Sequence, residues 1–245
     1  MTEPSPSEST VAAPASKSLP ARLLGVLFAP RATYAEIAAR PRWLGALAFV
    51  VIVGAAGTFT FLSTEIGKQA MMDQQVRMVE SFGVKLSDAA YDQMESRLNT
   101  ARYTGALGQA VTVPVMGLII AGLMLGVFNA ALGGDGTFKQ VYSIIAHSAV
   151  VLTVSQLFGL PLAYARETMS GATNLAVFAP FLDENSFAAR ALGSVDLFML
   201  WWIISLSIGL GVLYKKRTGP IATSLIVVYM AIGLIIAAIK SALGA

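Results

Sequence analysis

Between Ala106 and Leu132 the chain runs for 27 residues without one charged side chain. A helix rises about 1.5 Å per residue, so this segment is long enough to cross a bilayer core of roughly 30 Å. Four further segments share this character. A lone segment in lipid must satisfy its own backbone hydrogen bonds, so each of the five is predicted to be helical. The five predicted spans are 43–62, 106–132, 141–164, 196–214 and 219–239.

The composition agrees with a protein embedded in lipid. Of the 245 residues, 56% are hydrophobic and only 13% are charged, with a mean hydropathy of +0.68. Soluble domains carry charge on about a quarter of their residues, so these charges are too few to cover a water-facing surface. We therefore predict an all-α, polytopic membrane protein built as a bundle of five transmembrane helices.

Basic residues near the span ends predict the orientation. Arg31, Arg40 and Arg42 precede the first span, and the basic run 215–217 joins the fourth span to the fifth. With five spans both clusters fall on the same side, which the positive-inside rule makes cytoplasmic. The N-terminus is then predicted to lie in the cytoplasm and the C-terminus outside.

The remaining segments predict a tail and a hairpin. Residues 1–20 are polar and rich in Pro, Ser and Ala, which predicts a disordered N-terminal tail and leaves 21–245 as the membrane domain. Residues 63–105 show helical apolar spacing on both sides of Gly83, which predicts an extracytoplasmic helical hairpin. Its apolar stripes can pack on each other, lie at the membrane interface or bind a partner.

The segment before the first span is predicted to form an interfacial helix. Pro30 and Pro41 bracket about ten residues, too few to cross a bilayer, and the arginines among them suit the headgroup region. Trp43 then marks the membrane surface.

Polar side chains inside a membrane are costly, so each is a candidate functional residue. Asn129 and His147 lie near the cytoplasmic ends of the second and third spans, which a short loop joins, so the two are expected to meet. Interhelical hydrogen bonding accounts for such a pair as well as a functional site does. Asp196 opens the fourth span, where the helix dipole favours a carboxylate. Trp201 in the same span is expected to pack within the protein or against lipid tails.

The stretch 133–140, GGDGTFKQ, is the most patterned short motif. Thr137 and Gln140 have the spacing of a helix capping box. Glycines ahead of a helix, with Lys139 nearby, also suit a phosphate group. However, Asp135 repels anions and the spacing of a P-loop is absent. A turn followed by a helix cap is therefore the favoured interpretation.

The residue types argue against catalysis and metal binding. The chain has no cysteine and one histidine, so disulfides, thiolate sites and histidine metal sites are excluded. The motifs of zinc proteases, serine hydrolases and Walker loops do not occur. The net charge is only +3 and basic residues do not alternate with aromatic ones, so no nucleic acid partner is expected. We expect no catalytic residue and no cofactor.

Three stretches resemble bacterial members of the Yip domain family, named for Ypt/Rab-interacting proteins. They are LLGVLFAPRATYAEIAARPRWLGAL (23–47), GGDGTFKQVYSIIAHS (133–148) and DLFMLWWIISLSIGLGVLY (196–214). The resemblance covers about 23–240, with five spans in matching order.

The resemblance implies a protein of the bacterial inner membrane with a cytoplasmic N-terminus. Eukaryotic relatives bind Rab-type GTPases and help to shape or traffic vesicles. The short tail here has no GTPase-binding pattern, so that role is not carried over. By the same resemblance, Asp135, Lys139, Asp196 and Trp201 match motif positions, without an assigned role.

Two functional hypotheses follow. The first is a non-enzymatic scaffold or adaptor that organises membrane lipids or an unidentified protein partner through its cytoplasmic loops and outer hairpin. Small residues at helix-packing spacing, such as Gly122 with Gly126, also permit an oligomer. The alternative is a small-solute or ion transporter or channel subunit, in which Asn129, His147 and Gln156 line a polar path.

Overall fold

The computed structural model describes residues 17–169, 171, 173–183 and 186–243, and its regular elements over these residues are helices. The α-helices are α1 (Leu19–Phe28), α2 (Pro30–Ala39), α3 (Leu44–Leu62), α4 (Glu65–Glu80), α5 (Asp88–Ser96), α6 (Ala101–Leu125), α7 (Phe138–Ser148), α8 (Val150–Ala165), α9 (Phe187–Gly193), α10 (Leu197–Leu213) and α11 (Thr218–Leu243). A π-helical turn, Gly126–Ala131, extends α6, and 3-10 turns lie at Leu98–Thr100 and Leu175–Phe178.

In this described part of the chain, four helical stretches are long and apolar enough to cross a membrane. They are Leu44–Leu62, Asp88–Ala131, Phe138–Ala165 and Thr218–Leu243. These stretches contain most of the first, second, third and fifth predicted spans. The fourth prediction, 196–214, corresponds to the apolar helix α10, whose 17 residues give a length of about 25 Å.

The N-terminal helices pack onto the bundle. Pro30 is the first residue of α2, and the helix stops just before Pro41, as the sequence predicts. Tyr34 and Ile37 of α2 are completely buried against the helices of the bundle. Thus α2 is more than an interfacial segment, because it contributes side chains to the core.

The last two residues of the predicted disordered tail, 1–20, are helical. Leu19 and Pro20 belong to α1, since a proline with its fixed φ suits the first turn of a helix. Residues 1–16 lie outside the described part of the chain.

The predicted hairpin region, 63–105, contains two helices. α4 is capped by Thr64, α5 is capped by Ser87, and Gly83 adopts a φ of +76° between them. A Cβ on Gly83 would collide with the carbonyl oxygen of Leu243, so this turn lies against the end of α11. No residue of α5 is buried, so α4 does not cover its apolar stripe.

The third predicted span is interrupted at a position that the sequence does not indicate. Gln156 and Pro161 both lie inside α8, so neither interrupts the helix. The interruption falls instead at Ala149, between α7 and α8. Every residue of α7 from Val141 to Ser148 is buried, which places α7 at the centre of the bundle.

The bundle has two chemically different ends. The basic end comprises residues 17–42, 132–140 and 214–218, which hold nine of the 17 Lys and Arg residues but only two acidic ones, Glu36 and Asp135. Its parts are joined, for example, by a hydrogen bond from the Gln140 side chain of α7 to the Ala38 carbonyl of α2 (2.9 Å). The opposite end comprises α4, α5, the segment between α8 and α10, and the C-terminal end of α11, where Lys240 stacks on Phe82.

Candidate functional site

The glycine loop at the basic end is held by local hydrogen bonds. Thr137 and Gln140 form the predicted capping box at the start of α7. The Asn129 amide donates to the carbonyl oxygen of Gly136 at 2.7 Å, and Gly133 adopts a φ of +67°. The favoured interpretation of a turn followed by a cap is therefore confirmed.

The two inner glycines of this loop leave room for an aromatic ring. The ring of Tyr214, just after α10, stacks on Phe128 at 4.6 Å between centroids. A Cβ on Gly134 or Gly136 would lie 2.6 or 2.7 Å from atoms of Tyr214. Real Cβ atoms essentially never approach neighbours so closely, so a side chain at either position would force the Tyr214 ring to move. The loop thereby fixes the end of α6 to the end of α10.

Asp135 and Lys139 project from this loop into the surroundings. Both side chains are exposed, and neither takes part in the two salt bridges found among the described residues. The structure thus gives neither residue a packing role. They are available to a molecule that approaches the basic end.

His147 lies deep inside the bundle and does not meet Asn129, so the expected pair is wrong. Its Nδ1 donates to the carbonyl oxygen of Ser143 at 2.7 Å, and Nε2 has no hydrogen-bond partner among the described residues. The reason is geometric. Asn129 sits in the π-helical turn and bonds to the loop, whereas His147 lies nine residues beyond the start of α7 at Phe138, or about 14 Å deeper.

Polar side chains of α10 bond to α2 and to α7. The Tyr34 and Ser205 hydroxyls share a buried hydrogen bond of 2.7 Å. Burial raises the pKa of Tyr34 well above its usual range, so the phenol stays protonated and can donate. The indole of Trp202 donates to Ser148 at 3.0 Å, which joins α10 to α7 in the same way.

Asp196 caps α10 at the opposite end, as the sequence predicts. One carboxylate oxygen accepts from the backbone N–H groups of Phe198 and Met199 at 2.8 and 2.9 Å. The other accepts from the hydroxyl of Thr173. Both oxygens are therefore engaged in structure. The helix cap explains the position of this carboxylate without a ligand.

Trp201 lies on the outer surface of α10. Its side chain is 36% exposed, and its ring centroid lies 6.1 Å from that of Phe198. This agrees with the expected packing and places Trp201 away from the glycine loop. Of the six residues singled out from the sequence, the structure gathers Asn129, Asp135 and Lys139 at one end and leaves the others apart.

Two glutamines within the predicted spans bond to each other. Gln109 of α6 donates to Gln156 of α8 at 3.3 Å and accepts from the hydroxyl of Thr58. Gln156 donates to the carbonyl oxygen of Gly54 at 3.0 Å. The cluster ties α3, α6 and α8 together, and a Cβ on Gly54 would strike the Gln109 amide. The amides are therefore occupied by interhelical packing.

We use the name basic face for one set of exposed cations at the basic end. It consists of the exposed side chains of Arg31, Lys139, Lys215, Lys216 and Arg217. These residues come from α2, the start of α7 and the turn between α10 and α11. No three His, Cys, Asp or Glu side chains come together as a metal site within the described ranges.

Sequence reasoning missed Tyr34 and Tyr214. Both bring distant segments together at the basic end, and both lie in apolar surroundings where a phenol needs a particular neighbour. The available signal was the tyrosine itself, since a buried Tyr ring usually needs a hydrogen-bond partner for its hydroxyl. That signal does not identify which glycines or which helix the ring meets.

Comparison with known proteins identifies a family. The family model for the Yip1 domain matches residues 24–239. No curated protein and no solved structure shows significant similarity to the chain. The match spans nearly all of the helices described above, from α1 to α11.

Proposed function

We propose that this chain, which belongs to the Yip1 domain family of membrane proteins, is a non-enzymatic scaffold that organises partners or lipids at its basic face. One observation carries the proposal. Three segments far apart in the sequence are fastened into a single polar surface by Tyr34, Gln140 and Tyr214. A fixed surface of this kind suits recognition, because the backbone that carries its side chains is already ordered before binding.

The proposed membrane arrangement has five crossings, with α10 as the fourth. Its 17 residues are at the short end of the range that spans a bilayer. Arg42 and the basic run 215–217 directly flank spans on the same side, which supports a cytoplasmic basic face and a cytoplasmic N-terminus. The α4 and α5 helices and the C-terminus would then lie outside, and the membrane would be the bacterial inner membrane.

A transporter or channel is the second candidate, and one feature favours it. A cavity of about 290 Å³ at the opposite end is lined by Gln156, Thr173 and Asp196, among others. Against transport, the Asp196 carboxylate is occupied by the cap and by Thr173. The Gln156 amide bonds to α3 and α6. A polar path would need such groups to be available to a solute.

The test is partner capture in cells. The full chain would be crosslinked in its native membrane, purified in mild detergent and examined by mass spectrometry. The double variant Asp135→Ala/Lys139→Ala changes the basic face, but both side chains are exposed and outside the capping box, so the loop should stay folded. We expect a stoichiometric partner that this variant loses.

The matched control is Lys85→Ala/Asp92→Ala, which removes one cation and one anion from exposed positions at the opposite end. It should keep the partner. Loss of the partner in the control alone would move the proposed binding surface to α4 and α5. A purified protein that has no partner and moves solute across liposomes by itself would contradict the scaffold and support transport.

A further inference from the structure

A cavity at the basic face has the character of an anion site. It has a volume of about 590 Å³ and lies between α2 and the turn that joins α10 to α11. Its lining includes Arg31, Lys215, Lys216, Arg217 and Thr218, and contains no acidic side chain. Four cationic groups therefore surround one opening.

These four charges are not neutralised within the described part of the protein. The two salt bridges there join Lys17 to Glu36 and Lys68 to Glu65, and none involves the cavity. All four side chains are exposed, so water and salt moderate their mutual repulsion. An anion in the cavity would still relieve that repulsion, which makes anion binding favourable at this point.

The turn places a lysine where glycine is the usual residue. Lys215 has a φ of +52°, and the N–H of Lys216 donates to the Gly211 carbonyl at 2.9 Å, which closes a Schellman-type end of α10. A non-glycine residue in this conformation costs about 1–2 kcal/mol. The backbone is therefore strained at Lys215, and this residue places a cation at the rim of the cavity.

Two helix N-termini reinforce the positive potential. Arg31 is the second residue of α2 and Thr218 is the first residue of α11. Neither helix has an acidic residue in its first turn, and Ala29 gives α2 no side-chain cap. The exposed N–H groups and dipoles of such ends attract phosphate groups.

The position of the cavity favours a lipid headgroup as the source of the phosphate. α11 is long and apolar enough to cross a membrane, and only 6% of its most apolar 18-residue segment is buried inside the protein. The start of such a lipid-facing helix lies at the level of the headgroups. A phospholipid can therefore place its phosphate in the cavity while its acyl chains follow the exposed face of α11.

From this geometry we infer that the cavity binds the phosphate group of an anionic phospholipid through Arg31, Lys215, Lys216 and Arg217. The inference rests on the proposed membrane-organising function, since it names the lipid class held at the basic face. Its test measures lipid retention and not partner capture, so each can fail while the other stands.

The experiment uses the full chain purified in mild detergent and observed by native mass spectrometry. Phosphatidylglycerol and phosphatidylcholine are titrated separately. The wild-type chain should retain phosphatidylglycerol in preference to phosphatidylcholine. The triple variant R31Q/K216Q/R217Q should retain it at least roughly tenfold more weakly, because each cation near a charged lipid contributes to binding. The single variant Lys216→Gln should show a smaller loss, and serves if the triple variant does not fold.

The matched control K85Q/R97Q/R166Q removes three exposed cations from the opposite end and changes the net charge equally. It should retain phosphatidylglycerol as the wild-type chain does. Equal loss in the control, or unchanged retention in both basic-face variants, would overturn the inference. Inorganic phosphate is the second probe. If it displaces the lipid completely at millimolar concentration, the cavity takes a soluble anion, and the assignment to a lipid is wrong.

Discussion

The hydroxyl of Tyr34 lies 2.7 Å from the hydroxyl of Ser205, and both side chains are buried. The two residues are 171 positions apart in the sequence. Their bond fastens the short helix α2 to the centre of the bundle. It therefore couples the basic face to the core on which the remaining helices pack.

Tyr34→Phe removes one partner from this bond and should lower the free energy of unfolding by about 1–3 kcal/mol, because the Ser205 hydroxyl is left buried without its partner. Thermal unfolding in detergent measures the change. Tyr91→Phe is the control, since the Tyr91 ring is 42% exposed, and it should unfold as the wild-type chain does. Equal stability of the two variants would show that the bond contributes nothing.

Gly134→Ala places a methyl group against the Tyr214 ring and should destabilise the protein by about 1–3 kcal/mol through overpacking. Gly122→Ala is the matched control in the same region of the chain. A Cβ there meets nothing within 4 Å, so the change should be neutral or stabilising. If both substitutions had the same effect, the ring of Tyr214 would place no constraint on position 134.

His147→Ala empties a completely buried position and should cost about 2–4 kcal/mol by analogy with other core truncations. We expect a less stable protein that still captures the partner of the wild-type chain. Unfolding in detergent and partner capture are measured on the same preparation. A variant with wild-type stability but without its partner would show that His147 acts in function.

The glutamine cluster predicts a coupled pair. Gln109→Leu and Gln156→Leu should each destabilise the bundle, and the double variant should lose less than the sum of the two. Coupling energies between polar groups in membranes average about 0.6 kcal/mol and reach about 1.7. A double-mutant cycle in detergent measures the coupling energy between the two side chains. Strict additivity would mean that the amides do not hold the helices together, which would strengthen the transporter alternative.

The proposed orientation predicts a labelling pattern. The chain has no cysteine, so single-cysteine variants need no background correction. Ala89→Cys in α5 should react with a membrane-impermeant thiol reagent added to intact cells, and Lys139→Cys should react only after lysis. Both positions are exposed, so burial does not explain a difference. The reverse pattern would invert the topology.

Local features of the fold were predictable from the sequence. The boundaries at Ser87, Thr137 and Asp196 depend on side chains that bond to the backbone two or three residues away. The start of α2 at Pro30 depends on a fixed φ. Such signals are contained in a few neighbouring residues, so a single sequence reveals them.

Contacts between helices were not predictable in the same way. Because a helix such as α10 is apolar on all sides, hydropathy does not indicate which face it turns to its neighbours. The expected pair of Asn129 and His147 failed for this reason and because the π-helical turn redirects Asn129. Gly122 and Gly126 have packing spacing, but a Cβ on either would meet no described residue within 4 Å, whereas one on Gly209 would strike Ile144.

The docking of α2 has a consequence for biosynthesis. The side chains that hold it belong to α7 and α10, which leave the ribosome long after α2 has been made. During translation α2 therefore lies at the membrane surface without its packing partners, and Tyr34 and Ile37 stay exposed until the later helices have inserted. The basic face is therefore completed only at the end of synthesis. A truncated chain that stops before Ser205 would therefore leave the side chains of α2 exposed.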